Sequence, residues 1–381
     1  MALPEPTPDA REHSDRVAAH LREQIAASGG WISFARYMDL ALYAPGLGYY
    51  SAGARKLGKA GDFVTAPEIS PLYGWTLARQ VKQVLDAGFD EILEVGAGSG
   101  ALAATLLEEL ERAGRVPRSY LILELSADLR ERSRDTLAAR VPHLLERVAW
   151  LNRLPPSFSG VVLGNEVLDA MPVTIVRVQN ERIEEGGVGV RNDRFSWSWR
   201  FASGEPLEAA RALALPEGFR TEIQLAASGF VRTLAGILER GVAIFVDYGF
   251  PQKEYYHSQR KEGTLMCHYR HQAHADPFWL PGLQDITSHI DFSATGRAAR
   301  EGGLEVLGYT SQAQFLVNCG ITEIMARTPA ENAGKFLPLA SQANRLMSPA
   351  EMGELFKVIA LGREFGAPLA GFREGDRRKS L

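Results

Sequence analysis

The stretch Ile92–Gly100, with the sequence ILEVGAGSG, decides the fold of this chain, and the run Ala101–Leu107, ALAATLL, follows it directly. The first residues predict a short buried strand, the three alternating glycines predict a tight turn, and the second run predicts a helix. Glycines let the backbone approach a ligand closely, and the start of a helix presents free N–H groups. The stretch therefore predicts a cradle for a nucleotide-type cofactor.

Two classes of cofactor fit this turn. The run Gly96–Ala101 matches the G-x-G-x-x-G/A pattern of dinucleotide-binding proteins, and Glu124 ends the next apolar strand, where it could accept hydrogen bonds from ribose hydroxyls. Glu94, two residues before the first glycine, would face a pyrophosphate poorly and suits a ligand with an ammonium group and no phosphate. S-adenosyl-L-methionine (SAM) is such a ligand. The glycine turn by itself leaves NAD and SAM open.

The composition is that of an ordinary globular protein, with 381 residues, 45% hydrophobic and 23% charged, and a formal net charge of −4. This charge gives no basic field that would argue for binding of nucleic acid. The two cysteines, Cys267 and Cys319, lack metal-ligand spacing and favour a reducing compartment. The sequence shows no transit peptide and no run long enough for a membrane span, so we expect a cytoplasmic protein.

The order of the predicted elements indicates the α/β class. Strands and helices alternate from residue 92 to residue 164, which is typical of a parallel sheet with helices on both faces. Residues 173–200 alternate with period two around a glycine-rich centre and predict an inserted hairpin or small antiparallel sheet. We expect a helix over 221–240. A strand over 356–361 follows a long helical stretch and is compatible with an antiparallel strand in the edge region of the sheet.

We expect three regions along the chain. Residues 1–88 form a helical and loop region whose irregular part, rich in Gly, Tyr and Pro, is typical of a loop that covers an active site. Residues 89–365 form the core, with insertions near 173–235 and 250–292. Residues 366–381 include a basic run and are expected to form a solvated C-terminal tail.

A polar run, Asn165–Pro172 with the sequence NEVLDAMP, follows the predicted strand 160–164. Ligands of open parallel sheets bind at the carboxyl ends of the strands, which would place Asn165, Glu166 and Asp169 beside the cofactor. The same run could begin a helix, with Asn165 as its cap and the acidic residues in its first turn. Both interpretations remain open at this point.

Histidines cluster in one segment of the second insertion. His268, His271 and His274 lie within seven residues, but they lack an H-E-x-x-H frame, and Pro277 would break a helix there. We therefore expect a substrate-facing loop and no metal site.

Several segments together resemble the MidA family of class I SAM-dependent methyltransferases. They span residues 20 to 362, nearly the whole chain, and occur in the order of the family. The segments are Gly48–Tyr50, Gly61–Ser70, Glu94–Gly100, Asn165–Val173, Asp247–Gly249, Gly263–His274, Gln284–Thr287 and Thr310–Leu316.

The resemblance implies a Rossmann-like fold with a seven-stranded, mostly parallel sheet whose last strand is antiparallel, and SAM as the cofactor. It implies that SAM lies against the glycine turn, with Asn165 and Glu166 closing over it. The mitochondrial members of the family act as complex I assembly factors and protein-arginine methyltransferases, so the expected partner is a protein, with a complex I core subunit as the candidate. A monomer and a homodimer remain open. The candidate cofactor-binding residues are Glu94, Gly96, Ala97, Gly98, Glu124, Leu125, Asn165, Thr65 and Pro67.

An arginine substrate calls for carboxylates in the active site. The guanidinium group stays protonated and is a poor nucleophile, and carboxylates can hold it in a bidentate fork and offset its charge. Glu166 and Asp169 are the candidate catalytic acids, and Glu68 is a third. His289 is the candidate proton acceptor, with His271 as the alternative. The alternatives are an NAD-dependent oxidoreductase and a SAM-binding assembly factor without catalysis.

Overall fold

The computed structural model describes residues 3–52 and 65–381. These residues fall into two compact units, and neither unit is a continuous stretch of sequence. The described residues of the first unit are 3–52, Asp169–Gly229 and Phe250–Asp291, and those of the second unit are 65–168, Phe230–Gly249 and Phe292–Leu381.

Both units contain helices and strands. The helices of the described residues are α1 (Pro8–Ala27), α2 (Phe34–Tyr43), α3 (Ala66–Ile69), α4 (Pro71–Asp86), α5 (Ala101–Arg112), α6 (Ala127–Arg140), α7 (Gly204–Leu213), α8 (Leu225–Ile237), α9 (Gln252–Tyr255), α10 (Phe292–Glu301), α11 (Gln312–Asn318), α12 (Ile321–Met325) and α13 (Ala333–Met347). The strands are β1 (Ile32–Ser33), β2 (Glu91–Val95), β3 (Ser119–Leu123), β4 (Val148–Leu151), β5 (Phe158–Asn165), β6 (Thr174–Gln179), β7 (Arg182–Arg191), β8 (Arg194–Phe201), β9 (Arg220–Ile223), β10 (Leu238–Phe250), β11 (Met266–Tyr269), β12 (Gln272–His274), β13 (Asp285–Thr287), β14 (Ile290–Asp291), β15 (Glu305–Ser311) and β16 (Phe356–Arg363). Short 3-10 helices cover Pro142–Arg147, Ser258–Arg260, Ala370–Phe372 and Arg378–Ser380.

The second unit is built on a mostly parallel sheet. Its strands pair in the order β15-β16-β10-β5-β2-β3-β4. The five strands β10, β5, β2, β3 and β4 are parallel to one another, and β16 is antiparallel to both β10 and β15. This arrangement confirms the Rossmann-like α/β class and the late antiparallel strand. The order also shows that β16 lies between β10 and β15, inside the series.

The core of the second unit explains why these residues form buried strands. Strand β5 has Val161, Val162 and Leu163 at 1% exposure or less, as a sheet covered on both faces requires. Helices α4 and α5 pack so closely that a Cβ atom on Gly74 would lie 2.0 Å from Oγ1 of Thr105. Only glycine therefore fits at this contact between the two helices.

Residues 366–381, which the sequence predicts as a solvated tail, are partly packed into the second unit. Leu369 and Phe372 are buried. The side chain of Asn318 donates hydrogen bonds to the backbone oxygen atoms of Gly371 at 2.9 Å and Glu374 at 2.8 Å. Apolar burial and the hydrogen bonds from Asn318 thus hold part of this segment in place, although its basic side chains are mostly exposed.

The first unit contains two antiparallel sheets. In one of them β6, β7 and β8 form consecutive hairpins, as the alternation over 173–200 predicts, and β1 and β9 pair with β7 and β6. The other has the order β12-β11-β13. The helix predicted over 221–240 is wrong at its start, because β9 pairs with β6 and α8 begins only at Leu225. Strand pairing overrides the helix propensity of this segment.

The helices of the described residues are too short or too polar to span a bilayer.

Candidate active site

The glycine turn joins β2 to α5 within the second unit. Gly96, Gly98 and Gly100 have φ angles of +69°, +56° and +80°, a region that favours glycine. A Cβ atom on Gly96 would lie 3.0 Å from Cγ2 of Val167, and one on Gly100 would lie 2.9 Å from Cα of Ser133. Gly100 is the N-cap of α5 and offers no side-chain acceptor to the N–H groups of the first helical turn. The turn therefore has the backbone geometry of the predicted cradle.

Glu124 follows β3 and is tied to the glycine turn. Its Oε2 atom accepts a hydrogen bond from the backbone nitrogen of Gly98 at 3.1 Å, and its Oε1 atom accepts one from that of Ser126 at 3.0 Å. The next residue, Leu125, is 73% exposed. A carboxylate suited to ribose hydroxyls and an apolar surface suited to an adenine ring thus lie together at the end of β3.

Glu94 is a buried carboxyl group near the end of β2. Its side chain is 2% exposed, and its Oε2 atom accepts a hydrogen bond from the hydroxyl of Tyr120 at 2.8 Å. Burial raises the pKa of Glu94 to about 7; the hydrogen bond from Tyr120 works against this rise, and the charge of Glu124 adds to it. An ammonium group placed beside Glu94 would favour its charged form.

The raised pKa of Glu94 predicts a loss of stability with rising pH in the ligand-free protein. The ordinary pKa of 4.5 applies to the unfolded chain, so between pH 4.5 and about 7 the folded protein binds more protons than the unfolded one. The free energy of unfolding therefore falls by about 3 kcal/mol in total as the pH rises from 4.5 to about 7. Urea unfolding at about pH 5 and about pH 8 should show this loss in the wild type and a smaller one in Glu94→Gln. Equal losses in the two proteins would contradict the assignment.

Asn165 and Glu166 lie at the end of β5. The Nδ2 atom of Asn165 donates to Oε1 of Glu166 at 3.0 Å, and the hydroxyl of Tyr73 donates to Oδ1 of Asn165 at 2.5 Å. Glu166 has a φ angle of +53°, which costs a residue with a side chain about 1 to 3 kcal/mol. The interpretation of this run as the start of a helix is wrong, because this backbone conformation turns the chain away from helical geometry. Strain of this kind is concentrated at functional sites.

Asp247, near the carboxyl end of β10, holds the turn that follows Glu166. The side chain is 1% exposed, and its Oδ2 atom accepts a hydrogen bond from the backbone nitrogen of Leu168 at 2.9 Å. The backbone nitrogen of Glu166 donates to the carbonyl oxygen of Val246 at 2.8 Å. Hydrogen bonds to β10 therefore hold both ends of the turn, at Glu166 and at Leu168.

The short helix α3 brings Glu68 to the glycine turn. Thr65 is the N-cap of α3, and Pro67 lies in its first turn. The hydroxyl of Ser99, in the glycine turn, donates a hydrogen bond to Oε1 of Glu68. The backbone nitrogen of Ala66 lies 3.4 Å from Oε1 of Glu166 and donates to it. Helix α3 thus connects the glycine turn with Glu166, and both carboxylates belong to the same cluster of the second unit.

Asp169 and His289, the other two candidate catalytic residues, belong to the first unit. The backbone oxygen of Asp169 accepts a hydrogen bond from the backbone nitrogen of Ser288 at 3.1 Å. The ring of His289 stacks on that of Phe250, with 5.4 Å between the ring centres. The cluster in the second unit therefore contains Glu68 and Glu166 of the four candidates.

The second unit also supplies three further candidate residues that the sequence prediction did not include, namely Tyr73, Tyr120 and Asp247. Each contacts a predicted residue or its turn through a hydrogen bond. Asp247 directly follows the apolar run 242–246, and an acidic residue at the end of such a strand could have pointed to it. In the part of the chain that the structure describes, no three His, Cys, Asp or Glu residues form a group that could hold a metal ion.

Comparison with known proteins identifies similar chains. Residues 76–310 match a family model described as "S-adenosyl-L-methionine-dependent methyltransferase". The mitochondrial protein arginine methyltransferase NDUFAF7 of Mus musculus is 30% identical, with 90% of this chain and 83% of the mouse chain covered. Its homolog in Drosophila melanogaster is 28% identical, with 95% and 89% covered. A crystal structure from Burkholderia thailandensis, bound to S-adenosyl-homocysteine, is 52% identical over the whole of both chains and has a TM-score of 0.97.

Proposed function

We propose that this chain, which belongs to the MidA-like family of SAM-dependent methyltransferases, transfers the methyl group of SAM to an arginine side chain of a protein. The family decides between the two cofactors that the glycine turn left open, and the cofactor is SAM. Relatives from mouse and fly are named protein arginine methyltransferases, which supports arginine as the acceptor.

The residues of the second unit fit SAM. The carboxylate of Glu124 suits the ribose hydroxyls, the exposed face of Leu125 suits the adenine, and the buried carboxyl of Glu94 suits the amino end. The glycine turn allows a close approach of the backbone. When bound, SAM supplies an electrophilic methyl group on a positively charged sulfur.

The observation that carries the choice of arginine is the pair of carboxylates, Glu68 and Glu166, that α3 joins to the glycine turn. The Ser99 hydroxyl donates to Glu68, and the Asn165 amide and the backbone N–H group of Ala66 donate to Glu166. Carboxylates in such a cluster can orient a guanidinium group and offset its charge. Orientation and close approach of the acceptor nitrogen are what methyl transfer requires of the protein.

The proposal extends to the protein that is methylated and to the cellular compartment in which the reaction occurs. The resemblance of the sequence motifs to mitochondrial members supports a complex I core subunit as the methylated protein. The presence of only two cysteines supports action in a reducing compartment, which we propose is the cytoplasm. Asp169 and His289 remain proposed as a further acid and as the proton acceptor.

The proposal is tested by incubating the protein with labelled SAM and a bacterial extract from which proteins that are already methylated have been removed. Mass spectrometry then identifies the labelled residues. We expect the label on arginine, and its loss when the modified arginine of the isolated target is replaced by lysine. Label on another residue type would contradict the choice of arginine. Binding of S-adenosyl-homocysteine without any transfer would favour a SAM-binding assembly factor.

A further inference from the structure

A chain of two hydrogen bonds runs from Tyr73, on α4, through Asn165 to Glu166. The Tyr73 hydroxyl donates to Oδ1 of Asn165 at 2.5 Å, and Nδ2 of Asn165 donates to Oε1 of Glu166 at 3.0 Å. We propose that Tyr73 is a positioning residue, which sets the orientation of the Glu166 carboxylate by holding the amide of Asn165. This rests on the proposed function, because it takes Glu166 as a carboxylate that receives the guanidinium group.

The groups at the two ends decide which atom donates and which accepts in each of these two hydrogen bonds. Tyr73 is 2% exposed, and burial raises the pKa of its hydroxyl well above the ordinary value. The carboxylates of Glu166, Asp247 and Glu94 raise this pKa further, so the hydroxyl stays protonated and available as a donor. A charged carboxylate can only accept. The amide of Asn165 satisfies both ends when its oxygen faces Tyr73 and its nitrogen faces Glu166; the reverse orientation would place two oxygen atoms against each other.

The backbone of Glu166 is fixed independently of Tyr73. Its nitrogen donates to the carbonyl oxygen of Val246 at 2.8 Å, and its φ angle is +53°. The backbone nitrogen of Ala66 also donates to Oε1, but at a distance of 3.4 Å. Asn165 therefore makes the shorter of these two contacts to Oε1, and a change in its orientation would rotate the carboxylate about a fixed backbone. Small misplacements of an orienting group can cost about 100-fold in rate.

Replacement of the Tyr73 hydroxyl tests this inference. In Tyr73→Phe the ring still fills its buried place, but Oδ1 of Asn165 loses its donor. We expect kcat for methyl transfer to arginine to fall about tenfold, and the affinity for S-adenosyl-homocysteine to change less than about threefold. Tyr309→Phe, a buried tyrosine of β15 in the same unit, is the matched control and should keep kcat within about twofold.

A double-mutant cycle separates positioning from a general effect on the fold. If Tyr73 acts through Glu166, Tyr73→Phe should have little further effect on kcat in the Glu166→Gln background. An unchanged kcat in Tyr73→Phe, or the same loss in both backgrounds, would overturn the inference.

A second readout does not require an arginine substrate. The free energies of unfolding of Tyr73→Phe, Glu166→Ala and the double variant should be non-additive, because alanine removes the acceptor through which Asn165 links the two side chains. If the wild type methylates no arginine, the proposed function fails. The unfolding cycle then tests by itself whether Tyr73 and Glu166 are coupled through Asn165. Additive free energies of unfolding would then overturn it.

Discussion

Replacement of Glu166 by glutamine is expected to lower the rate of arginine methylation about 100-fold and to leave the affinity for S-adenosyl-homocysteine within about threefold of the wild-type value. Glutamine keeps the size of the side chain and an oxygen that can accept from Asn165. It lacks the negative charge that holds a guanidinium group and offsets its positive charge. Single-turnover transfer of a labelled methyl group measures the rate, and titration calorimetry measures the affinity.

The control for this experiment is Glu131→Gln on the exposed surface of α6, which makes the same chemical change away from the cluster. It should leave both quantities unchanged. Parallel losses of rate and affinity in Glu166→Gln would show that Glu166 serves the cofactor only. An unchanged rate would remove it from the active site.

Replacement of Glu124 by alanine is expected to weaken the binding of S-adenosyl-homocysteine about 100-fold. Hydrogen bonds from ribose hydroxyls to a carboxylate are charge-assisted, and each contributes about 1.5 to 3 kcal/mol. The same change removes the acceptor for the backbone nitrogen of Gly98, so the glycine turn loses one of its restraints. Calorimetry at a fixed pH measures the affinity directly.

Two comparisons make the result of Glu124→Ala specific. Glu131→Ala should bind S-adenosyl-homocysteine as tightly as the wild type, because its side chain is exposed on α6. Thermal unfolding of Glu124→Ala without ligand reports any loss of stability separately from the loss of affinity. Wild-type affinity in a folded Glu124→Ala protein would show that this carboxylate is not the ribose ligand.

The glycine turn between β2 and α5 was predictable from sequence because its signals are local. A strand, three glycines and a helix follow one another over residues 91–112, and each backbone requirement is met by the residue at that position. The positions of Glu124 and Asn165 at strand ends were predictable for a similar reason, since Glu124 directly follows β3 and Asn165 ends β5.

Other parts of the site depend on contacts between distant residues, which local patterns do not contain. Tyr73 contacts Asn165 across 92 positions, and Asp247 contacts Leu168 across 79. The misassigned segment near residue 221 has the same cause. Thr221 and Glu222 pair with β6, and the buried carboxylate of Glu222 accepts hydrogen bonds from the backbone nitrogens of Thr264 and Leu265.

The place of β16 in the second unit has a consequence for biosynthesis. Phe356–Arg363 lies between β10 and β15, so both of those neighbours have an unsatisfied edge until this segment has left the ribosome. The nascent polypeptide therefore cannot close its central sheet during most of translation, and exposed strand edges favour association with other chains. Overproduction of the enzyme should accordingly benefit from slow synthesis or added chaperones, and shortened versions that end before residue 356 should accumulate as insoluble material.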